Sequence, residues 1–192
     1  MGLRERKRQR TRSAIIDAAM GLFAEHGFEA TTVDDIAAAV EISPRTVFRY
    51  FPTKEDVPLH DEALFTTAFQ SALEKPMQGD VSEAACRAAQ AVAQLIDTGR
   101  SILLPRRTLI RSSPALLARW RKLDAIWHAG LVDLLMRAGR DQRQADILAA
   151  ATVGGLNAIL WRWVDDDGEP AIAKLTDQLF ELLAPALDRE RI

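Results

Sequence analysis

Apolar residues recur at three- and four-residue spacings along most of the chain, and no segment alternates apolar with polar as a half-buried strand does. Ile15, Ala18, Ala19, Leu22 and Phe23 fall at i, i+3, i+4, i+7 and i+8, which predicts an amphipathic helix from about Arg12. Gly27 ends it, because glycine takes the left-handed conformation just past a helix at no steric cost. Ile36, Ala37 and Val40 then make one short apolar face, and Val47 with Phe51 makes another. Both short stretches carry start signals. Thr32 and Asp35 form a capping-box-like pair, and Ser43 is followed by Pro44 at a first helical position, where the missing N–H costs nothing. Phe28 and Val33 can join the first stripe to the two short helices in a three-helix unit.

The helical period continues to the end. Thr53 and Asp56 pair as a further cap, predicting a fourth helix from near Lys54 with Leu64, Phe65, Ala68, Phe69, Ala72 and Leu73 on a wide apolar face. Pro58 falls in its first turns, either kinking it or sitting as an early helical residue of a ragged start, the second being preferred. After a break at KPMQGD come an alanine-rich helix from Val81 to Asp97 and a shorter one from Arg100 to Ile110, interrupted at Pro105. Ser112, Ser113 and Pro114 start a helix carrying Leu116, Trp120, Leu123, Trp127, Leu131, Leu134 and Ala138. From about Arg143 to Val164 the next helix is apolar nearly all round between Ile147 and Trp161, so it needs cover on every side, and a second subunit is the expected cover. Gly154 and Gly155 would let backbones approach there. A turn, DDDGEP, precedes a last helix with Ile172, Leu175, Leu179, Leu182 and Ala186 on one face. The fold class is all-α.

Composition changes this picture little: 192 residues, 48% apolar and 27% charged, describe an ordinary soluble protein of one or two domains. The net charge of −2 gives no whole-chain argument for nucleic acid, but its distribution does. The first 54 residues hold nine Lys/Arg against seven Asp/Glu, and Arg4, Arg6, Lys7, Arg8, Arg10 and Arg12 supply most of the excess. That opening run is too polar to pack, and reads as a solvated, disordered arm or as an arm that contacts DNA. A single cysteine, Cys86, excludes an intrachain disulfide. The longest nearly apolar run, Ile147 to Trp161, is about one quarter shorter than the roughly 20 residues that span a bilayer, and Asn157 interrupts it. A cytoplasmic protein without a membrane partner is expected.

Once the apolar faces are assigned, Arg45, Thr46, Arg49 and Tyr50 are left over on the second short helix. Arginine can donate two parallel bonds to guanine and hydroxyls can donate to phosphate, so these are residue types that DNA requires. Other chemistry is not indicated. His26, His60 and His128 lie far apart, Asp165 to Asp167 lack the spacing of a calcium loop, and no Gly-rich phosphate loop or nucleophile elbow is present. No cofactor, metal or enzymatic activity is expected.

With these residues in view, the run from Ile15 to Asp56 closely resembles the DNA-binding domain of TetR-family bacterial transcriptional regulators: LFAEHGF closing a helix, TTVDDIA entering the second, then SPRTVFRYF. The resemblance covers about a quarter of the chain. It implies a homodimer of subunits with about nine helices, a palindromic double-stranded DNA operator, and repression relieved by a small molecule. It divides the chain into a basic arm with helix-turn-helix domain, residues 1–53, and an effector-binding and dimerisation domain, residues 54–192. By the same resemblance Thr32, Tyr50 and Lys54 touch phosphate, Arg45 and Thr46 read base edges, and Arg49 reaches either. Ser43 and Pro44 complete the DNA-binding set. Phe48 departs from the pattern, since many relatives carry a tyrosine there whose hydroxyl bonds phosphate; packing within the head is the preferred reading.

Candidate effector contacts are Phe65, Phe69, Leu103, Leu109, Trp120, Trp127 and Trp161, with His128, Arg106, Arg107, Arg111 and Asn157 as polar partners, although aromatics at helical spacing also serve as plain core. The three arginines suit an acidic ligand or, preferably, a solvated or salt-bridged helix face. Trp161 and Trp163 cannot share a face, so one should sit at a dimer contact. The expected effector is mostly apolar or aromatic. The alternative is a regulator of the same fold without a small-molecule effector, constitutive or controlled by a protein partner; a helical enzyme or transport protein would have no use for the complete recognition stretch.

Overall fold

The structure, a computed structural model, describes residues 2–77 and 79–188. Among them every regular element is helical: α1 (Leu3–His26), α2 (Val33–Ala39), α3 (Pro44–Tyr50), a single 3₁₀ turn (Lys54–Asp56), α4 (Glu62–Leu73), α5 (Val81–Thr98), α6 (Arg100–Ser112), α7 (Pro114–Arg137), α8 (Gln142–Asp165) and α9 (Ile172–Leu187). By compactness the chain groups into two units: one takes the residues up to Asp61 with Arg106–Trp120, the other Glu62–Pro105 with Arg121 onward.

The first unit is built on Ile15, Ala19, Phe23, Phe28, Ile36, Val47 and Phe51, all buried. Gly27 closes α1 at φ 84°, its N–H donating to the Phe23 carbonyl, as the pattern predicts. The start of α1 differs from expectation, because the basic run is helix from Leu3 rather than a structureless arm. Arginine, lysine and glutamine are good helix formers, and a helix already nucleated by a packed segment gains one bond per added residue. Gln9 Nε2 donates to Glu5 Oε1 at 2.9 Å across one exposed turn. The join to the packed part is pinned by Arg12, whose guanidinium lies 5.1 Å from the centre of the Phe51 ring and donates to the His60 carbonyl.

Pro58 also differs: it is neither a kink nor an early helical residue. The Thr53–Asp56 box closes the 3₁₀ turn, residues 57–61 remain turn, and α4 begins at Glu62. Val57, Pro58 and Leu59 are all buried, so the segment is held by packing, and the proline, having no N–H to give, is spared a broken helical bond. Pro105 behaves in the opposite way, sitting inside a continuous α6. The carbonyl it leaves without an intrahelical donor is that of Ser101, an exposed residue that water can reach.

In the second unit α5 packs on α4 and α9, and α8 on α9. Alanines at 84, 85, 88, 89 and 93 form the buried face of α5 and permit close approach. α5 and α9 run antiparallel and cap each other: Asp97 accepts from the backbone N–H groups of Ile172 and Ala173, while Asp188 accepts from the N–H and hydroxyl of Ser82. Each carboxylate therefore meets orphan donors at the positive end of the partner helix. On α8 the two glycines separate. A Cβ on Gly155 would stand 2.7 Å from Leu179 Cδ1 of α9, whereas Gly154 has open space. Ile147, Ala150, Ala151, Gly154 and Ala158 form an exposed stripe at helical spacing, with Ile147 59% exposed. The all-round apolar helix is thus covered on one side within the chain and uncovered on the other. By length and composition α8 is apolar enough to cross a bilayer.

Candidate nucleic-acid interface

α2 and α3 are short, so they rely on their packed faces and on their caps to form. Thr32 and Asp35 make the full capping box: Asp35 N–H donates to Thr32 Oγ1 at 3.1 Å, and Thr32 N–H to Asp35 Oδ2 at 2.8 Å. The bonds from the Thr32 hydroxyl and then its amide hold the Asp35 carboxyl below the ordinary carboxylate value. Thr32 is exposed, but its hydroxyl proton already goes to Asp35 at 2.6 Å. Ser43 accepts from the Thr46 N–H, and the two hydroxyls are 2.9 Å apart. The turn between the helices passes through Glu41 at φ 57°, a left-handed conformation unusual for a residue with a side chain.

Val47 and Phe51, four apart, point inward and fix the rotation of α3. This leaves Ser43, Pro44, Arg45 and Arg49 exposed and Thr46 and Tyr50 half-buried. Arg49 lies 5.4 Å from the Tyr50 ring centre, so the two side chains brace each other. Phe48 overturns its expectation: it is 49% exposed and shares the outer face with Arg45 and Arg49. The interior is already filled by Val47 and Phe51, and one residue further on is about 100° round the helix.

Lys54 is placed behind this face. Its ammonium donates to the carbonyls of Phe28 at 2.7 Å and Thr31 at 2.9 Å, and lies 4.2 Å from the Phe28 ring centre. Two of its three N–H groups are therefore used inside the head, a role the sequence does not announce.

Residues 106–120, distant in sequence, belong to this unit and are tied to it by polar links. Arg106 pairs with Asp61 at 2.6 Å, both side chains nearly buried. Arg119 donates to Asp56 at 2.9 Å, and the Ser113 hydroxyl to Glu29 at 3.0 Å. Arg107, fully buried, lies 4.7 Å from the Trp120 ring centre. Of the solvated or salt-bridged face expected for the three arginines, Arg106 takes the salt-bridged form, Arg107 is buried rather than solvated, and Arg111 is exposed. His60 sits among Arg12, Asp61 and Arg106; burial pushes its pKa down, opposed by the bond between Nδ1 and the Val57 carbonyl at 2.7 Å.

The remaining effector candidates lie in the second unit. Phe69 and Trp127 stack with ring centres 4.5 Å apart and planes 10° from parallel, while Phe65 and Leu103 are buried. His128 Nε2 is 3.3 Å from the Asp146 carbonyl, and Asn157 donates to the Val153 carbonyl. Sequence reasoning missed Asp124, one turn before Trp127. Burial raises its pKa, opposed by a hydrogen bond from the Asn157 side chain and by Arg121. Trp163 is fully buried within the chain, and Trp161 is half-buried. The Cys86 thiol is pushed up to about 11 by burial and by Asp177, which leaves it unreactive at neutral pH.

Residues 15–58 match the family described as bacterial regulatory proteins, tetR family. The HTH-type transcriptional regulator TcmR of Streptomyces glaucescens is 38% identical over 126 residues, 62% of this chain and only 56% of that protein. The HTH-type transcriptional repressor LfrR of Mycolicibacterium smegmatis is 33% identical over 142 residues, 70% of this chain and 68% of that one. Among solved structures, Thermus thermophilus FadR, a TetR-family transcriptional repressor in complex with lauroyl-CoA, superposes with a TM-score of 0.63. It covers 94% of this chain and 97% of that one at 20% identity, a likeness of fold.

Proposed function

This chain belongs to the TetR family of bacterial transcriptional regulators, with a helix-turn-helix DNA-binding head, and from that premise we propose that it is a dimeric, sequence-specific repressor released from a palindromic operator by a small molecule. The observation that carries the reading is the outer face of α3, where Arg45, Thr46 and Arg49 stand on a helix whose rotation Val47 and Phe51 fix from beneath. Arg45 and Thr46 read base edges, Arg49 reaches a base or the backbone, and Tyr50 contacts phosphate. Ser43 and Pro44 set the helix start. Thr32 contacts phosphate when its hydroxyl turns away from Asp35, and Lys54 offers its third N–H. A DNA partner puts the site of action in the bacterial cytoplasm.

Dimerisation is supported by the uncovered stripe of α8 and by Leu182 of α9, 80% exposed. A two-fold pair would present two copies of α3 to half-sites about 34–36 Å apart. The effector is mostly apolar or aromatic: Phe65, Phe69, Leu103, Trp127 and Trp161 supply the apolar surface, and His128, Asn157 and Asp124 the few polar groups that orient a ligand. Arg107 and Trp120, stacked on each other in the first unit, are assigned to holding the head. Selection of bound DNA from a random pool, repeated with a metabolite extract, tests the reading. An inverted repeat that the extract releases is the expected result. An unenriched pool contradicts DNA recognition, and an operator that no extract releases favours control by a protein partner.

A further inference from the structure

Phe48 is the one large apolar side chain that stands well out of α3. Arg45 and Arg49 flank it at i−3 and i+1 on the outer face, both exposed, and Pro52 follows one turn on, also exposed. Nothing in the inward packing of α3 asks for an apolar residue here, because Val47 and Phe51 already fill that side.

The flanking cations decide what can cover such a ring. An apolar protein surface laid on it would strip water from two guanidinium groups with no acceptor in return. A DNA major groove instead supplies phosphate and guanine acceptors to the arginines, and it offers one apolar group on a base edge, the thymine C5-methyl. A tyrosine at this position would divide its contacts between ring and hydroxyl. Phenylalanine has no donor, so its whole contribution is van der Waals contact and exclusion of water. We infer that Phe48 is a specificity residue whose ring packs on the C5-methyl of one thymine in each half-site, next to the base pair read by Arg45. The inference rests on the DNA-binding reading and adds to it a residue and the base it selects.

The test replaces each thymine of the selected operator by deoxyuridine, which removes the methyl and keeps the pairing. In the wild-type protein one such replacement per half-site should weaken binding by about 3–10-fold. Phe48→Ala should bind the thymine operator more weakly by a similar factor and be indifferent to the same replacement; Phe48→Tyr should retain the methyl dependence. Circular dichroism and unfolding of Phe48→Ala should match the wild type, since the side chain is half exposed. Two results overturn the assignment: a wild type indifferent to every replacement, or a Phe48→Ala variant that keeps the same methyl dependence. A wild type that enriches no sequence at all removes the DNA-binding reading itself, and is recognised before any deoxyuridine is introduced.

Discussion

Lys54 holds Phe28 twice, donating from its ammonium to the Phe28 carbonyl at 2.7 Å while standing 4.2 Å from the centre of the Phe28 ring. A second bond, to the Thr31 carbonyl, ties the segment after α3 to the loop that presents the Thr32 cap. Lys54→Met is expected to lower the stability of the folded protein by about 1–2 kcal/mol, read by denaturant unfolding. Lys54→Arg should not restore it, because a planar guanidinium cannot meet two carbonyls and a ring face from one point. If the third N–H also reaches phosphate, the slope of log K against log salt falls by about 1 in Lys54→Met. Lost stability with an unchanged slope leaves Lys54 as a brace alone.

Glu41 occupies the turn between α2 and α3 at φ 57°. The left-handed conformation costs a residue with a Cβ about 1–2 kcal/mol, and glycine gives back part of the gain through its freer unfolded chain. Glu41→Gly should therefore stabilise the protein by up to about 1 kcal/mol, and Glu41→Val should destabilise it by more than that. Equal melting of the three proteins would contradict the strain.

His60 makes stability depend on pH in one direction. Its folded pKa lies below the unfolded value of 6.5, so in the window beneath 6.5 the unfolded chain binds more protons. The contribution is fully present above pH 6.5 and is lost as the pH falls through that window. Asp124 has the opposite sign: its folded pKa is raised, so its contribution is present at low pH and lost as the pH rises through the folded value. The difference between wild type and His60→Gln isolates the first effect. It should shift progressively in favour of His60→Gln as the pH is lowered from 7 toward 5.5, and a pH-independent difference would refute the assignment.

Gly154 has nothing within 4 Å of where a Cβ would stand, so a Cβ there meets no neighbour within the chain. Gly154→Leu should leave helix content unchanged or slightly raised, since glycine in a helix interior costs about 1 kcal/mol against alanine. On the proposed dimer face it should raise the dimer dissociation constant at least tenfold in sedimentation equilibrium. A variant that associates as the wild type does would move the dimer interface away from the α8 stripe.

Helix existence was legible because period and caps are local: Thr32 with Asp35 and Ser43 with Pro44 lie within four residues of each other and start the helices their chemistry predicts, whereas the Thr53–Asp56 box, predicted to start the fourth helix, closes only a 3₁₀ turn and α4 begins at Glu62. The features that escaped depend on distance in sequence or on what is already packed. Asp61 finds Arg106, and Glu29 finds Ser113, across intervals that no pattern marks. Arg107 is charged and fully buried, against the ordinary preference of arginine for water. Phe48 could have been placed outside, since Val47 and Phe51 already define the inner face, but hydrophobicity alone assigns it to the interior. The helical start of α1 was hidden because a polar run shows no apolar period, although its residues favour helix.

In the proposed function the outer face of α3 reads a DNA sequence, and Arg45 is the most direct probe of that face. Binding-site selection with wild type and Arg45→Ala in parallel should return the same inverted repeat, with preference relaxed at one base pair per half-site and affinity for the original operator reduced by about 1–3 kcal/mol. An unchanged base preference in Arg45→Ala would contradict the account.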